Sequence, residues 1–359
     1  MFLAILIAFI SLMGLLILHE FGHFILAKKF GVRVDEFGIG YPPRIFGKKI
    51  GDTVYSLNLL PFGAFVKLPG EIGKADDPRS FSRQSIPKRA LVILGGVLSF
   101  WLMAVILFSV VFNLGVPVAI GDNVESNLVD PRVQIVSVLS DSPAKMAGLR
   151  PGDAIRKFRA ADYESGITKI KEVQGLSEQY KGKEIILTIQ RGKEVFDVSL
   201  VPRVSPPSGE GPIGVALVRT AIKSYPWYQA PWQGIVSTVN LTGAVIQGYG
   251  EAIKNLIARK PTGVELVGPV GVFNLFTQVS QLGVSYFLQF VGMIAIYIAI
   301  FNVLPIPAVD GGKLLFLGIE AVRKKPISEK VEQNVTAVFF ALLLMMMVWV
   351  TIKDVSKLF

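Results

Sequence analysis

The chain has 359 residues, a formal net charge of +10, a mean hydropathy of +0.52 and 51% hydrophobic residues. That hydropathy excludes a set of ordinary soluble domains, and the absence of cysteine excludes disulfides and thiolate metal ligands. The apolar residues are concentrated in four stretches almost free of charge, Met1–Ala27, Ala90–Ile120, Leu266–Val309 and Gln333–Ile352. Each stretch is long enough for the roughly 20 residues of a membrane-spanning helix. The sequence therefore predicts a multi-pass membrane protein.

Basic residues lie mainly beside these stretches rather than in one dense patch, so the positive charge does not indicate a nucleic-acid partner. They are concentrated in the connection from Lys28 to Arg89 and again from Arg323 to Lys330. By the positive-inside rule both connections are cytoplasmic. Both termini and the segment from about Gly121 to Thr262 are then expected on the outer side.

The first apolar stretch could instead be a cleaved signal peptide. It lacks a basic start and a small-residue cleavage site, and it contains the ionisable residues His19, Glu20 and His23. These features favour a retained membrane helix.

The connection that follows contains a strand-like stretch, Thr53 to Leu68, which is rich in β-branched and aromatic residues and is interrupted by Pro61 and Gly63. Phe37 to Gly40 (FGIG) precedes it with a pair of glycines. We predict a β-rich element that dips partly into the membrane, because apolar strands at that depth need protein or a watery cavity to satisfy their backbone.

The outer segment is predicted to be a separate soluble domain. Its predicted strands are Val133–Leu139, Ala154–Phe158, Lys183–Gln190 and Glu194–Val201, with a short helix at Pro143–Ala147. A basic turn, Arg191 to Lys193, joins the last two strands. The string SPAKMAGLRPGDAI is similar to the helix, turn and strand of a PDZ domain, a resemblance that covers Val133 to about Val204. Pro202 to Pro212 follows as a linker, and Trp227 to Lys260 is typical of an amphipathic helix at the membrane interface.

The first apolar stretch carries the sequence HEFGH, which is an H-E-x-x-H motif. Its histidines, His19 and His23, would share one face of a helix, which is the spacing that two zinc ligands need. Glu20 would lie beside the metal and could take a proton from water. On a solvated helix the same residues could form an ordinary polar face. A glutamate inside a membrane span, however, costs at least roughly 2.5 kcal/mol, and this cost indicates a function.

Catalytic zinc usually takes three protein ligands. The chain has two histidines, both in this motif, and no cysteine, so the third ligand must be a carboxylate. Asp310 closes the uncharged stretch from Leu266 to Val309. Glu265, Glu320 and Glu332 lie instead at the ends of apolar segments, where solvated carboxylates are expected.

Asp310 can equally be a turn aspartate before Gly311 and Gly312, and composition alone does not decide between a turn and a ligand. Pro305 and Pro307 favour a site, because they break a helix at depth and free backbone groups that need a polar cavity.

The chain resembles the site-2 proteases, and most of all the bacterial regulator-of-sigma-E type of intramembrane zinc metalloprotease. HEFGH matches the H-E-x-x-H of that family, and Asn302 to Gly311 (NVLPIPAVDG) matches its N-x-x-P-x-P-x-L-D-G with Val309 in place of leucine. Phe37 to Gly40 is similar to the family's G-x-G segment, Leu60 to Glu71 to its membrane-associated β-hairpin, and Val267 to Val272 (VGPVGV) to its G-P-x-G stretch. The resemblance extends over nearly the whole chain.

The resemblance implies that His19, His23 and Asp310 bind one zinc ion per chain and that Glu20 is the general base. It also implies that Asn302 lines the substrate path.

The resemblance further implies that a strand of the β element pairs with an unwound substrate. This role is physically reasonable, because a transmembrane helix hides its own amides and strand addition replaces the lost hydrogen bonds. The residues of that strand are Ala64, Phe65, Val66 and Lys67.

The chain departs from the family where Ala64-Phe65 replaces Gly-Tyr, and where Gly95-Gly96 and Ser99 replace Gly-Pro and Asn in the second span. It has one PDZ-like domain, whereas some relatives have two.

Together these features predict a multi-pass α-helical membrane protein with about four transmembrane helices, a membrane-associated β-hairpin or sheet, and an inserted extracytoplasmic PDZ-like α+β domain. The predicted segments are 1–120 (the first two spans, the HExxH motif and the β element), 121–212 (the PDZ-like domain), 213–262 (linker and interfacial helix) and 263–359 (the last two spans with the NxxPxPxxDG motif).

The predicted function is zinc-dependent cleavage of transmembrane protein substrates within the lipid bilayer of the bacterial cytoplasmic membrane, with the active site toward the cytoplasm. The resemblance implies single-span substrates already trimmed by another protease, such as anti-sigma factors, or remnant signal peptides. The alternative is a membrane-embedded PDZ scaffold that binds peptides without cleaving them. Transport is a third possibility, since broken helices also mark ion pathways, but the sequence contains no paired inverted repeat.

Overall fold

The computed structural model describes residues 2–73, 75–124, 129–161, 163–192, 194–262 and 267–356. Lys193 of the predicted turn and Glu265, one of the carboxylates considered as a ligand, lie outside the described residues. The helices are α1 Phe2–Lys29, α2 Ile86–Leu114, α3 Pro143–Met146, α4 Ile170–Gln179, α5 Ala230–Ile257, α6 Pro269–Leu282, α7 Val284–Val303, α8 Asp310–Arg323 and α9 Glu329–Ser356. The strands are β1 Glu36–Ile50, β2 Thr53–Lys67, β3 Val116–Ala119, β4 Val129–Val138, β5 Ala154–Ala160, β6 Tyr163–Gly166, β7 Ile185–Arg191, β8 Glu194–Leu200 and β9 Val215–Lys223.

Among the described residues, four helices are long and apolar enough to cross a membrane. They contain the segments Leu6–Lys29, Ile86–Leu114, Val284–Val303 and Glu329–Ser356. Each segment overlaps one of the four apolar stretches of the sequence. The third stretch exceeds one span because it also contains α6, which Gly283 separates from α7.

The chain forms two compact units. The first contains Met1–Ser109, Pro231–Thr277 and Gln289–Phe359, and the second contains Val110–Ala230 and Gln278–Leu288.

In the first unit, α1 and α2 approach each other at backbone distance. A Cβ built on Gly95 would lie 2.6 Å from the Gly22 carbonyl oxygen, and a Cβ on Gly22 would overlap the Gly95 carbonyl. These glycines therefore let the helix that carries the histidines lie directly on α2. At the other end of α2, Gly234 of α5 makes a similarly close approach, because a Cβ there would lie 2.9 Å from the Ser109 nitrogen.

The two strands β1 and β2 are long and irregular, and different parts of them pair with each other. Glu36 to Ile39 pairs on one side with Val54 to Leu57 and on the other with Ala64 to Lys67. Within the described part of the chain no further strand pairs with Ala64 to Lys67, so this segment lies at an edge of the sheet. The strand-like character predicted for Thr53 to Leu68 is confirmed.

The helix break predicted at Pro305 and Pro307 lies between α7 and α8. Gly311 packs against this break, because a Cβ there would overlap the carbonyl oxygens of Val303 and Leu304. The break therefore folds back on the first turn of α8, which begins at Asp310. The sequence did not predict α8 as a helix.

The second unit contains a sheet with the strand order β3-β9-β4-β5-β7-β8, and β6 pairs with β5. Ile135 of β4, Ile155 and Phe158 of β5 and Leu187 of β7 are fully or almost fully buried in its core. The strands predicted between Val133 and Val201 are present. The sequence did not predict β9 or α4.

Candidate metal centre

α1 places His19 and His23 one helical turn apart, and Asp310 faces them from the start of α8. The Nε2 atoms of the two histidines are 3.2 Å apart, and each lies 3.2 Å from Asp310 Oδ2. The three side chains are only 9–11% exposed. Of the described residues, these form the one histidine and carboxylate group compact enough to hold a metal ion.

α2 supports both imidazoles. His23 Nδ1 lies 2.9 Å from the Val92 carbonyl oxygen and donates to it, which leaves the Nε2 lone pair for a metal. The His19 ring stacks on Phe100 with a centroid distance of 4.8 Å.

This geometry fits zinc. The buried Asp310 Oδ2 has no hydrogen-bond donor among the described residues, although buried acceptors normally have a partner. Tetrahedral zinc with nitrogen and oxygen ligands about 2.0–2.1 Å away separates those ligands by about 3.3 Å. The 3.2 Å triangle of His19, His23 and Asp310 therefore has the size that zinc requires.

Gly96 of α2 lies against both imidazoles. A Cβ there would overlap His23 Nε2 and would lie 2.5 Å from His19 Cε1. The missing side chain therefore makes room for the histidines. In the sequence this glycine was visible only as a departure from the family pattern.

Glu20 borders a cavity of about 160 Å³ that is also lined by His23, Asp310 and the edge segment Ala64 to Val66. Glu20 Oε2 accepts a hydrogen bond of 3.1 Å from the Val66 N–H. The carboxylate and the strand edge therefore face the same space.

Two residues predicted to bind substrate are not among those lining the cavity. Lys67 is exposed, and its carbonyl accepts a hydrogen bond of 2.9 Å from the Asp35 N–H. The Asn302 side-chain amide donates to the Ile298 carbonyl one turn earlier in α7, at 2.9 Å. Ala64, Phe65 and Val66, by contrast, lie at the cavity.

The sequence did not reveal an ion pair beside the site. Lys313 Nζ lies 2.6 Å from Glu71 Oε1 and 4.0 Å from Asp310 Oδ1. Burial opposes the charge of Lys313, but Glu71 and Asp310 outweigh it and raise its pKa above the usual range. The sequence feature that could have indicated this ion pair is the basic residue Lys313, which follows Asp310 by about one helical turn.

The described alternatives to Asp310 as the third ligand lie elsewhere. Glu320 accepts a hydrogen bond of 2.5 Å from Arg89. Glu332 lines a different cavity, which is described below. Asp310 is therefore the carboxylate that meets the histidines.

Comparisons with known proteins agree with this geometry. The family model for "Peptidase family M50" matches residues 7–346. A Clostridium perfringens protein named "Putative zinc metalloprotease" is 32% identical over 360 residues, which is 98% of each chain. Zinc metalloprotease RasP of Oceanobacillus iheyensis is 28% identical over 446 residues, which cover 98% of this chain and 99% of that one. RasP of Shouchella clausii is 26% identical over 99% of each chain.

The apolar helices, the donor set and these matches define an integral membrane zinc metalloprotease. The chain belongs to peptidase family M50, the site-2 proteases. The predicted family, the zinc cofactor and the endopeptidase class are thereby confirmed, and a scaffold without proteolytic activity does not agree with them. The PDZ-like assignment, the segment boundaries, the residue roles, the substrates and the orientation stay predictions.

Proposed function

We propose that this protein hydrolyses peptide bonds within or next to the transmembrane segments of other membrane proteins, on the cytoplasmic side of the bacterial inner membrane. The main support is that a His-His-Asp donor set, a carboxylate and a strand at the edge of its sheet meet at one cavity. The cavity borders helices that are apolar enough to lie in a bilayer. A site in that position suits a substrate that is itself in the membrane.

In this proposal His19, His23 and Asp310 bind one zinc ion, and Glu20 is the general base. Zinc bound there would polarise the scissile carbonyl and lower the pKa of the attacking water. Glu20 takes the proton of that water and transfers it to the leaving amine. The Val66 N–H donates to the Glu20 carboxylate and holds it toward the cavity.

The edge segment Ala64 to Lys67 supplies the substrate-binding strand in this proposal. A substrate helix must unwind before its amides can be reached, and pairing with a sheet edge replaces the hydrogen bonds that it loses. Ala64, Phe65 and Val66 contact the cavity, whereas Lys67 extends the strand beyond it. Asn302 would line the substrate path after its side chain turns away from the Ile298 carbonyl.

The proposed substrates are single-span proteins already shortened by another protease, such as anti-sigma factors, or signal peptides left after secretion. Membrane proteomes of cells with the wild-type protein and with the Glu20→Gln variant should differ in short membrane fragments that accumulate only with the variant. If no such fragments accumulate, this substrate class is wrong.

We also infer that the segment from Val133 to about Val204 is a PDZ-like domain on the outer side. Support comes from the order of α3, the turn at Gly148 to Gly152 and β5, which follows the resemblance in the sequence. Its role is either to bind a peptide end or to exclude bulky outer domains. Enlarging the outer domain of a model substrate should reduce its cleavage, and unchanged cleavage would contradict the exclusion role.

The proposal predicts that the purified protein loses cleavage when a chelator strips its metal and regains it when zinc is added back. A peptide-binding scaffold would bind peptides equally well with and without zinc and would never cleave them. The measurement is the release of a fragment from a fluorescent single-span substrate in detergent micelles.

A further inference from the structure

Two cavities of the first unit share part of their walls. The cavity of about 160 Å³ contains the candidate site, and a larger one of about 740 Å³ lies beside it. The larger cavity is formed by the loop after β2, the start of α2, α8 and the connection from α8 to α9. The residues that line both are Glu71, Phe81, Ile93 and Lys313. Because Phe81 and Ile93 are apolar, the Lys313–Glu71 ion pair is the polar part of the shared wall.

Lys313 connects this wall to the metal centre. It follows Asp310 by one turn of α8, so both side chains lie on the same face of the helix. Asp310 directs Oδ2 toward the two histidines and Oδ1 toward the Lys313 ammonium, which is 4.0 Å away. The Glu71 carboxylate, 2.6 Å from the same ammonium, fixes the position of Lys313.

Arg89, which also lines the larger cavity, is hydrogen-bonded to a different carboxylate. Arg89 donates to Glu320 at 2.5 Å. Of the described cations that line the larger cavity, Lys313 also lines the smaller one, where it faces Asp310.

We propose that Lys313 is a positioning residue of the metal centre, which holds the Asp310 carboxylate in the rotation that directs Oδ2 at the histidines, and that Glu71 acts by holding Lys313. The terminal torsion of an aspartate is broad, so an isolated carboxylate would rotate freely and orient its ligand oxygen poorly. Groups that orient a metal ligand in this way typically contribute about 10–100-fold to metal affinity. This inference rests on the proposed role of Asp310 as a zinc ligand.

The test is the rate at which the purified full-length protein releases zinc to a chromogenic chelator, which needs no substrate. Lys313→Met should release zinc about 10–100-fold faster than the wild type. Lys313→Arg, which keeps a cation, should restore most of the slow release. Lys325→Met removes an exposed lysine just after α8 and should leave the rate unchanged. If Lys313→Met does not fold, Lys313→Gln replaces it, because it also removes the charge.

The role of Glu71 is tested by combining the changes. Lys313→Met leaves the carboxylates of Glu71 and Asp310 without the cation between them, so adding Glu71→Gln should cause no further loss and should recover part of the slow release. Independent residues would instead give additive effects. Additive effects, or the same fast release from Lys313→Arg and Lys313→Met, would overturn the proposal.

Zinc retention by the Asp310→Asn variant distinguishes a failure of the proposed metal site from a failure of the proposed role of Lys313. If Asp310→Asn retains zinc like the wild type, the proposed metal site itself is wrong. If Asp310→Asn loses zinc while Lys313→Met releases it at the wild-type rate, the metal site stands and the role of Lys313 is overturned.

Discussion

At the scale of single residues, the candidate metal centre depends on a glycine of α2 that has no side chain as well as on the residues predicted to bind the metal. Gly96 allows α2 to lie against the rings of His19 and His23. Inserting even one methyl group into a packed position forces neighbours to shift, at a typical cost of about 1–3 kcal/mol. At Gly96 the neighbours that must shift are two predicted zinc ligands.

Gly96→Ala is therefore expected to weaken zinc binding and reduce cleavage, while the protein still folds. The measurement is zinc content after dialysis, together with the release rate to a chelator. Gly14→Ala is the matched control, because a Cβ at Gly14 of α1 would meet nothing within 4 Å. Equal zinc retention by the two variants would contradict the packing argument.

The predicted ligands follow from residue types that are rare in this chain. The chain contains two histidines four residues apart and one carboxylate at a broken helix, so few other residues could be the metal ligands. The structure brings these three residues together. The supports of the ligands were not predictable. The Val92 carbonyl, the Phe100 ring and the Lys313–Glu71 pair reach the site only through tertiary packing, and sequence patterns do not encode such contacts.

At the scale of elements, the VGPVGV stretch has a structural explanation. Gly271 N–H donates to Asp354 Oδ2 at 2.7 Å, so a carboxylate of α9 caps the first turn of α6. Glycine leaves room for this carboxylate, because a Cβ on Gly268 or Gly271 would lie 2.8 or 2.9 Å from the same oxygen and would displace it. The cap thus joins α6 to the end of α9.

Asp354→Ala is expected to destabilise the start of α6 by about 0.5–2 kcal/mol, the usual cost of losing an N-terminal cap. Hydrogen exchange of the Gly271 amide should become faster. Lys353→Ala changes the exposed neighbour of Asp354 and serves as the control. Unchanged exchange at Gly271 in Asp354→Ala would show that the cap does not stabilise α6.

Elements with strong hydropathy patterns were predictable, and elements that depend on tertiary partners were not. The long apolar helices and the alternating strands β5 and β7 are present as predicted. The sequence predicted a β-rich element that included Phe37 to Gly40 but did not predict the full length of β1, because Pro42 and Pro43 disfavour a regular strand. α8 follows two prolines and has two glycines in its first turn, both of which disfavour a helix in the sequence, and that turn is stabilised by packing on the break before it.

At the scale of the whole molecule, the orientation in the membrane is predicted by charge alone. The chain has no cysteine, so single cysteines can report on it without background labelling. A cysteine at exposed Glu194 should react with a membrane-impermeant maleimide in cells whose outer membrane is absent or permeabilised. A cysteine at exposed Lys49 should react only after the inner membrane is also opened. The reverse pattern would invert the proposed topology.

The most direct measurement of the central claim is cleavage of a single-span substrate in liposomes by the wild type and by Glu20→Gln. The wild type should cut within or next to the span, as read from fragment masses. Glu20→Gln should bind about one zinc per chain and cut at least about 100-fold more slowly, because it keeps the metal ligands and loses the base. Cleavage by Glu20→Gln at the wild-type rate would contradict the account.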